Sequence, residues 1–259
     1  MLLNEITSFD AVVIWTWFLL FVRFTAIFQS LPGIGTEEVP ITFRLPLVII
    51  LAAAVTLAGA RAHYPEHLAE GILMMGVEFT LGYLLGMIPI FITSALALSG
   101  QISATAIGLN QASVIDPSLG ENVTTLARIQ GLLAVALFLL VDGHHAILRA
   151  GAEVTKDVGI GLFRPGTAIS DMYLERFAHT FELAISIAAP IIVVTLITQF
   201  VLGLLTRFVP QINVFIMSLP LTILVGLFVF EFTLPQMVKH MQREFTSIEE
   251  LAYGILSNP

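Results

Sequence analysis

Apolar residues fill long blocks of this chain, at about 11–28, 45–60, 68–98, 126–141, 183–205 and 212–238, with short polar stretches between them. Ala, Leu, Ile and Phe dominate, and no block shows the strict in–out alternation of a barrel strand. An α-helix rises about 1.5 Å per residue, so the longer blocks can cross roughly 30 Å of hydrocarbon. The pattern predicts an all-α, integral-membrane-type protein built of kinked helical hairpins. The 68–98 block is too long for one simple span, and Pro89 predicts either a kink or a split into a bent hairpin. The 45–60 and 126–141 blocks are short for a span and fit partial or protein-buried helices.

Composition sharpens this picture. The 259 residues are 57% hydrophobic and 12% charged, against about 25% charged in a typical soluble domain. Such a chain cannot cover itself with polar surface and needs lipid or protein around it. It reads as membrane-type segment throughout, with no separate soluble domain. The absence of cysteine excludes a disulfide framework, a thiol nucleophile and a Cys-ligated metal. A net charge of −8 argues against nucleic acid as a partner and against docking on anionic lipid through a basic patch. The first ten residues carry Glu5 and Asp10 but no basic residue, unlike a cleaved signal peptide, so the first apolar run is expected to be retained. The eleven Lys and Arg are scattered singly and set no orientation. One reading of that weak bias is a subunit held by partners rather than by lipid.

Polar residues inside apolar surroundings mark the candidate chemistry. Near the C-terminus, Arg207, Pro210, Gln211 and Asn213 sit among bulky apolar residues. Pro210 breaks or bends a helix, and the two amides can satisfy backbone groups that the break exposes. A plain interhelical loop is the simpler reading. The block 99–120 is rich in small residues and amides, which gives either a helix-packing face or a loop that lines or closes a passage. Asp116-Pro117 favours a turn there, with Gly120 free to take positive φ. Gly82 and Gly86, four apart, predict close packing against a partner subunit. Arg23, Glu78, Glu182 and Glu231 fall in or beside apolar runs and are candidate buried charges, with Arg23 and Glu78 a candidate ion pair. His144 and His145 are neighbours whose side chains diverge by about 100° on a helix, which disfavours a shared metal ion. His144 beside Gly143 fits a helix end better. No G-x-S-x-G, P-loop, dinucleotide glycine pattern or HExxH is present, so no enzyme or cofactor is expected. The residues leave a gate or channel subunit, a secondary transporter and an intramembrane enzyme in competition. A transporter predicts matching broken segments in two inverted halves, and the breaks near 99–120 and 206–213 do not match.

The stretch from Arg207 to Val214, R-x-x-P-Q-x-N-V, resembles the signature of the FliR family of flagellar export-gate proteins, to which virulence-type secretion proteins are more distantly related. Val39-Pro40 with Arg44, Gly100-Gln101, Gly108-Leu109, Asp116-Pro117 with Gly120, Gly143-His144 and Pro190 resemble other family positions in order, over roughly residues 10 to 235. The resemblance implies a structural and gating subunit of the flagellar type III export channel, assembled with FliP and FliQ and joined by FlhB. Unfolded flagellar subunits would pass through it, at the basal body in the bacterial inner membrane. It implies a FliP-like part over 1–180, with a pore-plug loop at about 108–122 that includes Gly108, Asn110, Gln111, Asp116, Pro117 and Gly120. A FliQ-like hairpin would follow over 181–259, with Pro190, Arg207, Pro210, Gln211, Asn213 and Pro220 as structural positions. The chain departs from the family pattern at Asn110 and Gln111, where a glycine and an aromatic residue are common. It departs again at Thr222, where a lysine is common. Gly143-His144 and the Pro210 block favour the flagellar branch over the virulence-type one.

Overall fold

The computed structural model describes residues 2–35, 39–109, 125–157, 159–208 and 214–257. These hold eight helices and no strand: α1 (Leu2–Ser30), α2 (Ile41–Leu57), α3 (Leu68–Ile107), α4 (Thr125–Leu140), α5 (Gly143–Asp157), α6 (Thr167–Phe208), α7 (Val214–Thr246) and α8 (Ile248–Ser257). Among the described residues, α1, α3, α6 and α7 are each long and apolar enough to cross a membrane, and α4 with α5 form a broken fifth candidate.

The long 68–98 block does not split. α3 continues unbroken for 40 residues, or about 60 Å, with Pro89 inside it. Proline costs such a helix one backbone bond, and the burial of Leu85, Ile88 and Ile92 around it offsets that loss. The helix also takes in the first part of the small-residue block. Residues 99–107 are helical, and the chain leaves the helix at Gly108, which adopts a φ of 89° that suits glycine. Burial of Ser99, Ser103, Ala104 and Ile107 explains why weak helix formers remain helical here.

The chain forms two compact units. The first comprises Met1–Phe91, Phe138–Glu175 and Phe245–Pro259. Its core is α1, whose Leu19, Leu20, Phe24 and Ile27 are fully buried. α1 packs on α2 and α5, and α5 packs on α8. α2 is apolar on all sides but buries only Val48, Ala52 and Thr56, one narrow stripe at i, i+4, i+8 spacing. Gly82 and Gly86, expected to face a partner subunit, pack instead against α1 of the same chain. A Cβ on Gly82 would overlap the Arg23 carbonyl and stand 3.0 Å from the Ala26 Cβ, and one on Gly86 would overlap Ser30. The α3 backbone therefore approaches α1 as closely as glycine allows.

The second unit comprises Ile92–Leu137 and Arg176–Glu244. Ala104, Ile107, Leu126 and Ile191 form its buried cluster, with Ile223, Val229 and Phe230 packed on it. Gly226 leaves the space that Ile107 fills. The outer faces of α6 and α7 remain apolar and exposed, through Val193, Leu196, Ile197, Phe200, Leu224, Phe228 and Phe232.

Gly82→Leu is expected to force α3 off α1, at a cost of about 1–3 kcal/mol or more. A thermal melt of the purified protein checks this, and an unchanged Tm would show that the close approach is not constraining.

Candidate functional site

In the first unit, α1 carries Arg23 and α3 carries Glu78 to the same point, and both side chains are fully buried. Arg23 Nε donates to Glu78 Oε2 at 2.5 Å and Nη2 donates to Oε1 at 3.0 Å, a two-pronged pair. Arg23 Nη1 donates to the Gly151 carbonyl on α5 at 2.9 Å. The Gly161 amide, in the connection after α5, donates to Glu78 Oε1 at 2.6 Å. Gly161 has a φ of 80° and Met74 lies against it, while Gly151 lies against Ile27. Glycine at both places lets backbone reach the charges. One ion pair thus fastens four segments. Sequence reasoning named the two charges but missed Gly151 and Gly161, whose contributions are backbone atoms and carry no residue signal.

The other charges lie elsewhere. Glu231, read as a candidate buried charge, is exposed on α7 between the exposed Phe228 and Phe232. Glu182 is also exposed and stands 3.6 Å from His179 Nδ1, while His179 Nε2 lies 3.2 Å from Glu244.

At the α4–α5 break, Asp142 adopts a φ of 58°, and the His145 amide bonds back to its carbonyl at 2.9 Å. His145 Nδ1, rather than His144, pairs with the Asp142 carboxylate, at 3.1 Å. His144 is half-buried edge-on to Phe138, and its Nδ1 has no partner among the described residues. A Cβ on Gly143 would stand 2.6 Å from the Phe138 ring, so glycine lets the chain turn tightly over that side chain. The two histidines do not diverge as a regular helix would place them: their ring centroids are 4.1 Å apart. Their ligand atoms and that of Asp142 lie within 4.8 Å of one another.

Gly108 marks the end of α3, while Asn110, Gln111, Asp116, Pro117 and Gly120 lie outside the described residues. So do Pro210, Gln211 and Asn213. Arg207 is exposed in the last turn of α6, where a cation complements the helix dipole. Pro190 and Pro220 lie inside α6 and α7 without ending them. Pro190 frees the carbonyl four residues earlier, on Ser186, and both residues line a groove with Thr233, Gln236 and His240. Thr222 is buried and donates to the Ser218 carbonyl at 2.7 Å.

Residues 14–248 match the family described as bacterial export proteins, family 1. This chain belongs to that family. Its relatives include the flagellar biosynthetic protein FliR of Aquifex aeolicus (strain VF5), 27% identical over 94% of this chain and 93% of the relative. The flagellar biosynthetic protein FliR of Escherichia coli (strain K12) is 26% identical over 91% and 90%. The Yop proteins translocation protein T of Yersinia pestis is 26% identical over 88% and 89%. The part of this family 1 export protein that matches contains the whole Arg23–Glu78 clamp.

Removing one member of a buried pair leaves a charge uncompensated and costs about 3–5 kcal/mol. Arg23→Met alone and Glu78→Met alone should each sharply lower the yield of folded protein. The Arg23→Met/Glu78→Met double variant should recover much of it, and a double-mutant cycle on thermal stability reads the coupling.

Proposed function

We propose that this chain is a structural and gating subunit of the flagellar type III protein export channel, needed to pass unfolded flagellar subunits. The observation that carries this reading is the family match over 14–248 together with flagellar relatives aligned over nine-tenths of the chain. The Yersinia relative supports a virulence-type secretion gate as the second reading, and it aligns over slightly less of the chain. The partners on this reading are FliP, FliQ and FlhB, and the place is the basal body in the bacterial inner membrane. The apolar outer faces of α6 and α7 suit burial by such neighbours. Residues 1–180 act as a FliP-like part and 181–259 as a FliQ-like hairpin. The loop at about 108–122 closes the channel at rest, held by neighbouring subunits, and opening displaces it. Gly108, already in the left-handed region, is its first hinge. Energy for transport comes from other parts of the apparatus.

The test of the assembly is native mass spectrometry of this chain co-expressed with its genomic neighbours. A large complex with small hydrophobic partners supports the reading, and a lone monomer or homodimer in the same mild detergent overturns it. Deleting 110–120 is expected to leave the complex assembled but leaky to small ions, and normal ion tightness in the deletion strain would remove the plug assignment. Asn213→Leu is expected to lower the yield of complex through loss of an amide that satisfies the helix break, whereas an unchanged yield would place that amide in water.

A further inference from the structure

The contact between α3 and α4 in the second unit combines two properties that rarely occur together. First, it is polar without being bonded. Ser99, Ser103 and Gln130 are at most 1% exposed. Both serine hydroxyls and both amide atoms of Gln130 lack a hydrogen-bond partner among the described residues. Buried helical hydroxyls normally bond back to their own helix, as Ser30, Thr56 and Thr222 do to the carbonyls four residues earlier. Ser99 and Ser103 do not. Leaving such groups unpaired in a closed, dry contact is costly.

Second, the contact is smooth where these polar groups lie. Gly100 lies so close to α4 that a Cβ there would stand 2.6 Å from the Ala127 Cα and 3.1 Å from Gln130 Oε1. The Gln130 amide is therefore aimed into the seam, over the bare Gly100 backbone. Farther along, Gly131 faces Ala97, with 3.7 Å between its Cβ position and the Ala97 Cβ. Interlocked side chains resist sliding because each knob must leave its hole. At Gly100 and Gly131 there are none, and the bulky Ile107 and Leu126 belong to the buried cluster beyond them, at the end of α3.

We infer that the α3–α4 contact is a hydrated slip seam, along which α4 shifts against α3 when the channel opens. Water held between the helices supplies the missing partners of Ser99, Ser103 and Gln130. As the helices move, those groups exchange one water for another, so that the shift breaks no protein–protein hydrogen bond. The inference rests on the export-gate reading and deepens it: the seam lies in the last turns of α3, just before Gly108.

Gln130→Met removes both amide atoms at nearly constant volume. In the intact complex of full-length chains it is expected to raise Tm by about 2–4 °C. The same strain should secrete flagellar subunits severalfold more slowly. Ser99→Ala/Ser103→Ala, which cannot overpack the seam, should shift both readouts in the same directions. A stabilised complex that exports at the wild-type rate would overturn the inference, because the seam would then be static. A lower complex yield in both variants would also overturn it, by showing that these groups are bonded in the assembly. The export-gate reading fails separately and earlier, if a strain lacking this chain still secretes flagellar subunits.

Discussion

An ion pair that must be fully satisfied in an apolar interior sets the arrangement of the first unit. Arg23 and Glu78 have no access to water, so each must find its partners within the chain. Their mutual bonds use only part of their capacity. The Gly151 carbonyl and the Gly161 amide supply more, and this requires α5 and the following connection to come within hydrogen-bond reach of α1 and α3. Glycine at 82, 151 and 161 makes that approach possible. The charges thus specify where four segments meet, while the surrounding leucines and phenylalanines, which would accept many packings, supply the burial.

The two units differ in how much of their apolar surface the chain covers. In the most apolar windows of α1 and α3, 44% and 56% of residues are buried, against 22% and 17% for α6 and α7. The last two long helices therefore leave most of these apolar windows exposed. The exposed Glu231 lies on the outer face of α7.

Much was legible in the sequence because it depends on local rules. Block length and apolar content predicted the all-α membrane class and the positions of the long helices. A charge inside an apolar run is conspicuous, so Arg23 and Glu78 stood out before any geometry was known. The R-x-x-P-Q-x-N-V stretch and the spaced glycines and prolines pointed to the family that the match over 14–248 establishes. Local rules left two readings open where tertiary contacts decide. Pro89 does not divide α3, and residues 99–107 take the helix-packing reading, with Ser99, Ser103, Ala104 and Ile107 buried. Gly82 and Gly86 were recognised as a packing face, but spacing alone cannot say whether the partner belongs to the same chain.

The sequence by itself determined the class, the membrane character and the family of this protein, since hydrophobic periodicity, charge cost and ordered motifs are properties of the linear chain. Only the tertiary structure decided which groups meet. Backbone atoms such as the Gly151 carbonyl and the Gly161 amide have no residue code, so their part in the clamp was invisible. The close approach of the His144 and His145 rings, in the first turn of α5, depends on side-chain rotamers that residue spacing does not specify. The unpaired polar groups between α3 and α4 exist only once the two helices are placed together, because whether a serine or glutamine is satisfied depends on its neighbours in space.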